Sequence, residues 1–165
     1  METVDEQQER RRRWFREHWE RNVAFNAFAG LVIDQWDDMA VAMRLPYRKE
    51  LSAHDGIFHG GVVAAVIDTC ASGAVMAGHD FVKGSRLTTI SLSVQYFSVA
   101  PGEDLRAVGT CLRRGRSVHF AEARIYGWES GKLVASGQVA VNIAGERPGL
   151  EPITATDSSA GSRFR

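Results

Sequence analysis

One apolar segment, from Gly60 to Ala77, constrains the fold more than any other part of this sequence. It is interrupted by a single carboxylate, that of Asp68, and it follows the glycine-containing stretch HDGIFHGG at residues 54–61. A helix that is apolar all round belongs in the middle of a fold. An ionised carboxylate there is costly unless it is paired, hydrogen-bonded or wetted by a cleft. Asp68 therefore either has structural partners or lines a site.

Size, charge and cysteine content exclude several classes of protein. The 165 residues suit one domain with an interior, and their zero net charge gives no overall field that favours nucleic acid or anionic membrane. No run approaches the roughly 20 apolar residues that span a bilayer, and the polar N-terminus lacks the apolar region of a secretory signal.

Cys70 and Cys111 are the only cysteines. We therefore expect a cytoplasmic protein with reduced thiols. We also expect no bound metal, because no Cys/His cluster has ligand spacing.

Residues 1–29 predict an amphipathic N-terminal helix. After nine polar residues that we expect to be frayed, apolar residues recur at helical spacing from about Arg10 to Ala29, and Gly30 is typical of a helix end. The run from Arg10 to Arg13 is flanked by acidic residues, which favours a solvated face over a nucleic-acid or membrane patch. The Trp/Phe stripe of this helix is expected to pack on the domain or on a partner subunit.

The remaining chain predicts six strands around the apolar helix. Strands at residues 31–36 and 39–45 and a polar loop at 47–52 precede the helix, and strands at 86–99, 105–112, 117–128 and 133–143 follow it. Strands joined by tight turns are antiparallel, and one helix among many strands is most simply wrapped by the sheet. The prediction is an α+β domain over residues 30–144. The Gly/Pro/Ser/Thr-rich residues 145–165 predict a disordered tail.

Four stretches of the chain resemble a known family. The pattern G-x-x-H-G-G at residues 56–61, with an acid nine residues after the histidine, resembles the hotdog-fold thioesterases. The phenylacetate-degradation-type (4-hydroxybenzoyl-CoA thioesterase-like) group is the most similar one. Residues 88–102, the hairpin at 114–117 and the turn and strand at 131–135 are similar to later parts of that group. The resemblance covers about residues 28–144.

The resemblance implies a fold, an assembly and an activity. The fold is a curved antiparallel sheet around one long helix. Two subunits pair into a continuous sheet, with active sites at their interface, and dimers often pair again into tetramers. Members cleave acyl-CoA or acyl-carrier-protein thioesters without a cofactor, coenzyme A being part of the substrate.

Asp68 is the expected general base on water or the nucleophile itself. Its neighbours at three and four residues' spacing are all small, which leaves room beside the carboxylate for a ligand or a second backbone. The alternative is a buried structural acid that Ser72, Thr88 or Thr89 satisfies. Thr89 is also the residue expected to hold the attacking water. Thr88 would face the other way on a strand.

Gly60 is the expected oxyanion donor, because amides at a helix N-terminus have no intrahelical acceptor. The other interpretation is that Gly60 and Gly61 only permit a tight turn into the helix, and both can hold at once.

Substrate binding is assigned to the loop before the helix and to a later hairpin. The residues are His54, Asp55, His59, Gly61, Arg113, Arg114 and Arg116. Many relatives place Asn or Gln six residues before the histidine, where this chain has Ala53, so His54 or Asp55 is a candidate for the missing polar group. His59 is expected to make a loop hydrogen bond rather than to act as a base. The arginines match the phosphates of coenzyme A, with ordinary exposed charge as the equal alternative.

Three functions therefore follow from the sequence. The first is an acyl-CoA thioesterase. The second is a non-catalytic acyl-CoA binding or sensor protein on the same fold, which Ala53 favours. The third is a hydratase or dehydratase, whose differently spaced His–acid motifs are not found here. Cys70 has no activating histidine beside it in sequence and is expected to be an apolar filler rather than a nucleophile.

Overall fold

The computed structural model describes residues 2–54, 56–99 and 102–154. Its helices are α1 (Val4–Arg21), α2 (Ala24–Ala29) and α3 (Gly60–Ala77). Its strands are β1 (Val32–Trp36), β2 (Val41–Leu45), β3 (Ser52–His54), β4 (Ile57–Phe58), β5 (Leu87–Tyr96), β6 (Leu105–Arg114), β7 (Val118–Gly127) and β8 (Leu133–Ile143). Single 3-10 turns lie at Lys49–Leu51 and Phe81–Lys83.

Six strands form one antiparallel sheet in the order β1-β2-β6-β7-β8-β5. The helix α3 lies against β6, β7 and β8 and supplies much of the core. The strands before and after α3 join one sheet because β2 pairs with β6. The predicted α+β architecture, a curved six-stranded antiparallel sheet around one long helix, is confirmed. This is the hotdog fold.

Two glycines in the strands let α3 approach the sheet closely. A Cβ added at Gly109 of β6 would lie 2.6 Å from the carbonyl oxygen of Cys70. A Cβ at Gly137 of β8 would lie 2.8 Å from the side chain of Ile67. Both distances are below van der Waals contact, so any larger residue would push the helix away. These two glycines thus determine how closely α3, which carries Asp68, packs on the sheet.

The bounds of α3 agree with those predicted. Its 18 residues have a length and a mean hydropathy of 1.6 that would also suit a membrane span, but 61% of them are buried inside the protein. A core helix that a sheet covers passes the same test. The apolar segment is therefore accounted for by the interior of the fold.

The prediction for the N-terminus was wrong in two respects. Residues 4–9 are not frayed, because α1 begins at Val4 with a capping box between Thr3 and Glu6. The single expected helix is divided into α1 and α2, which meet near Asn22. Helical spacing continues across this break, so periodicity alone could not reveal it. The Trp/Phe stripe packs on the domain as expected, for example through Phe15, whose ring stacks on that of Phe81 at 5.1 Å.

Two other segments also differ from the prediction. The expected polar loop at 47–52 contains a 3-10 turn and starts the small β3–β4 sheet. Residues 145–154, expected to begin a disordered tail, lie against the domain. Ser85 donates a hydrogen bond to Glu146, Arg11 donates one to the carbonyl of Glu151, and Ile153 is buried. The predicted disorder of residues 155–165 lies outside the described residues.

The strand β5 forms one edge of the sheet and leaves apolar side chains uncovered. Ile90, Leu92 and Tyr96 are 58%, 39% and 53% exposed. It is ten residues long, whereas β1 at the other edge has five. A long edge strand with exposed apolar side chains is a surface on which a further strand can pair.

Candidate active site

His59 shapes the start of α3. It is the N-cap residue, and its Nδ1 accepts a hydrogen bond from the N–H of Gly61 at 2.9 Å. A ring nitrogen that accepts carries no proton, so the histidine proton is on Nε2. This capping bond is the loop hydrogen bond expected for His59. It also takes up the Gly61 amide and leaves the Gly60 amide as the first donor of the helix.

The N–H of Gly60 has no acceptor among the described residues. The carbonyl of the same residue accepts a hydrogen bond of 2.6 Å from the hydroxyl of Tyr96, at the end of β5. The Tyr96 hydroxyl thus fixes the start of the helix to the sheet. Tyr96 was not among the predicted site residues. Its only sequence signal is an aromatic residue at the end of the strand that follows the helix.

Asp68 lies in the middle of α3 and is half-buried. Its Oδ1 accepts hydrogen bonds from Thr89 Oγ1 at 3.0 Å and from Ser72 Oγ at 3.4 Å. No donor to Oδ2 is found in residues 2–54, 56–99 and 102–154. The carboxylate is therefore held by one oxygen and open at the other. The structure brings Thr89, and not Thr88, to Asp68, and both the structural and the catalytic interpretation of this carboxylate include that contact.

A face of small residues connects the two candidate groups. Gly61, Ala64 and Ala65 are exposed or half-buried, whereas Val66 and Ile67 on the other side of α3 are fully buried. Eight residues separate Gly60 from Asp68, which is about 12 Å along the helix at 1.5 Å per residue. One thioester carbonyl cannot touch both groups of the same helix.

The loop before the helix is only partly brought to the site. Ala53 and His54 are exposed at the end of β3, and no contact of His54 with Asp68 or Gly60 is found in the described structure. Asp55 lies outside the described residues. The assignment of His54 and Asp55 to substrate binding therefore stays a prediction.

Among the three arginines of the β6–β7 hairpin, Arg114 makes a contact with α3 that was not predicted, and its assignment to substrate binding stays a prediction. Its guanidinium donates to the carbonyls of Val75 at 2.6 Å and Ala74 at 3.3 Å, in the last turn of α3. A cation at a helix C-terminus satisfies carbonyls and complements the helix dipole. Arg113 and Arg116 are exposed, so binding of coenzyme A phosphates by them stays a prediction.

Neither cysteine has the properties of a nucleophile. Cys70 is fully buried, and burial raises the pKa of its thiol far above the ordinary value. Its Sγ points to the carbonyl of Val41 at 3.6 Å, as a buried filler would. Burial also raises the pKa of the Cys111 thiol. In the part of the chain that is described, no three His, Cys, Asp or Glu side chains cluster in a way that could hold a metal ion.

An apolar chamber of about 140 Å³ opens beside Gly60. Its walls include Phe58, Val63, Leu105 and Val134, all of which also belong to the hydrophobic core. The free amide of Gly60 therefore lies at the border between solvent and an apolar space.

Comparisons with known proteins show the family of the chain. A family model described as the thioesterase superfamily matches residues 55–133. A proposed esterase of Halobacterium salinarum is 32% identical over 102 residues, which cover 60% of this chain and 67% of that protein. Acyl-coenzyme A thioesterase 13 of Mus musculus is 27% identical over 84 residues, or 50% of this chain. The chain spans 58%, little more than half, of the length of that relative.

A solved structure shows the same fold. The structure of a proposed esterase from Mycobacterium tuberculosis superposes with a TM-score of 0.69 at 25% identity, covering 76% of this chain and all of the other. The halobacterial relative, the matching family model and the shared hotdog architecture lead to one assignment. The chain belongs to the thioesterase superfamily.

Proposed function

We propose that this protein hydrolyses the thioester of an acyl-CoA or acyl-carrier substrate to a free acid and a thiol. The observation that carries the proposal is the carboxylate of Asp68. It is fixed through Oδ1 by Thr89 and Ser72, while Oδ2 has no donor among the described residues and the neighbouring residues of α3 are small. A fixed carboxylate with one open oxygen beside space for a ligand has the arrangement that a general base or a nucleophile needs.

The chemistry follows from these groups. In the general-base route, Asp68 takes a proton from water while the water oxygen bonds to the thioester carbon. The carbonyl oxygen becomes an oxyanion, which the N–H of Gly60 stabilises more strongly than the ground state. The carbon–sulfur bond then breaks, and the thiolate leaves and takes up a proton. In the nucleophilic route, an Asp68 oxygen bonds to the carbon first and the carbon–sulfur bond breaks with release of the thiolate, which takes up a proton. Water then cleaves the resulting anhydride and restores the Asp68 carboxylate. Neither route needs a cofactor.

Each site is proposed to combine two subunits. The 12 Å between Gly60 and Asp68 along one helix excludes both from a single carbonyl. A second copy, with its α3 antiparallel to the first, would bring the partner's carboxylate to the amide of Gly60. The long edge strand β5 supplies the surface for such pairing, and a further pairing of dimers belongs to the same proposal. The two free thiols fit a cytoplasmic location.

A non-catalytic acyl-CoA binding or sensor protein is the second candidate. The specific observation that favours it is Ala53, exposed on β3, where many relatives have an amide side chain that positions the water or the thioester. Such a protein would bind acyl-CoA without releasing thiol.

Thiol release distinguishes the two candidates. Purified protein should release free thiol from at least one acyl-CoA in a panel of aryl, short and long acyl groups. Asp68→Asn should lose at least about 100-fold in kcat, the usual range for removing a general base. Glu122→Gln, a carboxylate on β7 outside the site, is the matched control and should keep the activity. A folded Asp68→Asn protein with full activity contradicts the proposal, and binding without turnover across the panel favours the sensor.

A further inference from the structure

The chamber beside Gly60 has walls that are fixed by the core. Val63 on α3, Leu105 on β6 and Val134 on β8 are 3%, 1% and 6% exposed. Each comes from a different element, and these elements are held together by the helix–sheet packing around α3. Core side chains are close-packed, so this wall cannot recede without opening voids elsewhere. The wall formed by these three side chains is therefore a property of the fold, and the rest of the lining includes Ser98 and Val99 after β5.

The polar groups of the chamber are already engaged. The hydroxyl of Tyr96 donates to the carbonyl of Gly60 at 2.6 Å. The hydroxyl of Ser98 donates to the carbonyl of Leu133 at 2.6 Å. Neither hydroxyl hydrogen is left for a ligand, whereas the N–H of Gly60 has no acceptor in the described structure. A bound thioester would therefore direct its carbonyl to Gly60 and its hydrocarbon part into the chamber.

The size of the chamber limits what that hydrocarbon part can be. Its volume is about 140 Å³. An apolar protein cavity of ~150 Å³ stays dry and holds one benzene molecule. A straight fatty acyl chain is several times longer than one ring and exceeds this volume.

We propose that this chamber is the acyl-group site and that it selects compact apolar acyl groups, of about the volume of one six-membered ring, over long straight chains. The selection is by volume and not by aromaticity. The inference rests on the proposed thioesterase function, because it places the acyl part of the same substrate. Val63, Leu105 and Val134 are the residues that set the limit.

The test compares substrates of different acyl volume on the full-length protein. The probes are benzoyl-CoA, cyclohexanecarbonyl-CoA and palmitoyl-CoA. For each, kcat/KM is measured by thiol release, and Kd is measured with the ketone analogue in which a methylene group replaces the thioester sulfur. Val134→Ala enlarges the chamber. Val139→Ala removes the same volume from a buried residue of β8 that does not line it, and serves as the control.

The wild-type protein should prefer both ring substrates to palmitoyl-CoA by about tenfold or more, the scale on which an apolar pocket discriminates by size. Val134→Ala should reduce this preference and Val139→Ala should not.

A wild-type protein that hydrolyses palmitoyl-CoA as well as the ring substrates overturns the inference and leaves the proposed function intact. If the ring analogues bind tightly and no thiol is released, the result supports the acyl-group site and contradicts the proposed hydrolase function. Equal binding of all three analogues, with or without turnover, also overturns the inference.

Discussion

Asp68 and Thr89 form the contact on which the proposed chemistry depends. They are 21 residues apart in sequence, and their side chains are joined by a hydrogen bond of 3.0 Å. The ladder between β5 and β8 has a register shift between Thr89 and Ser91. Such bulges re-aim side chains and often occur beside functional sites. This one directly follows the residue that faces the helix.

Loss of the Thr89 hydroxyl should therefore release the carboxylate. A hydrogen bond to a charged group contributes about 1.5–3 kcal/mol. Thr89→Val should accordingly lower kcat/KM for thiol release by about 10- to 100-fold. Thr89→Ser should retain most of the activity, because it keeps the hydroxyl.

Thr88→Val is the matched control for this prediction. It makes the same change one residue earlier on the strand, at an exposed residue with no hydrogen bond to Asp68. Equal losses in both valine variants would mean that the strand, and not the contact with Asp68, supports activity.

For single residues, the sequence predicted which side chains belong to the candidate site better than it predicted which groups they contact. Asp68 and Thr89 were predicted as one site because a family motif and strand alternation both indicated them. Tyr96 was missed because its bond to Gly60 joins residues 36 apart and depends on how the strand packs on the helix. The contact of Arg114 with the end of α3 was also missed, because a hairpin arginine has no sequence signal for capping a helix 39 residues earlier.

The start of α3 is the element that presents the proposed oxyanion donor. Gly60 is the first helical residue, where proline is well tolerated because the missing N–H has no intrahelical acceptor. His59 has φ −61° and ψ 131°, the extended conformation that a residue before proline favours. Gly60→Pro thus deletes one N–H while suiting the local backbone.

Gly60→Pro should keep the melting temperature and lower kcat by about 100- to 1000-fold, the cost of losing one oxyanion donor. Gly60→Ala keeps the N–H, and the added Cβ would lie no closer than 3.6 Å to Tyr96. It should retain more activity than the proline variant. Comparable kcat in the wild type and Gly60→Pro would remove Gly60 from the mechanism.

A pair of buried histidines joins the end of α3 to β7. His79 and His119 are each 1% exposed, with ring centroids 5.4 Å apart, and the Nε2 of His79 lies 3.0 Å from the carbonyl of Gly84. Burial lowers the pKa of His79 to about 4. Burial and the neighbouring Arg114 also lower the pKa of His119. The folded state therefore favours the neutral form of both imidazole rings.

This pair predicts a loss of stability in mild acid. The unfolded chain binds protons on its histidines near pH 6.5, whereas folded His79 does so only near pH 4. Stability is thus full above about pH 6.5 and falls as the pH drops to about 4, by about 3 kcal/mol for His79. Melting temperatures between pH 7.5 and 4.5 should show this slope. His79→Phe should flatten the slope and His54→Gln, at an exposed histidine, should not. An unchanged slope in His79→Phe would assign the acid sensitivity to other groups.

Elements were predictable where the chain carries a strong local pattern. The bounds of α3 followed from a continuous apolar run, and the later strands followed from alternation and turn residues. The division between α1 and α2 and the packing of residues 145–154 were not predictable. Both depend on contacts with distant residues, such as the bond of Asn26 to Thr69 and that of Arg11 to Glu151.

For the whole molecule, strand order was enough to predict one sheet around one helix, because few arrangements bury such a helix. The strand order does not predict the assembly. One chain contains both proposed groups, the Gly60 amide and the Asp68 carboxylate, but holds them about 12 Å apart along α3. In the proposed mechanism, a second copy of the chain is therefore part of each active site.

Mixed dimers test whether each active site is shared between two subunits. Asp68→Asn and Gly60→Pro chains, each inactive alone, are refolded together in equal amounts, and thiol release is measured. If each site takes its carboxylate from one subunit and its amide from the other, every mixed dimer has one intact site. Activity should then return to about a quarter of the wild-type value, because half of the dimers are mixed and one of their two sites works. If the mixture stays as inactive as the separate variants, the site lies within a single chain and the account is contradicted.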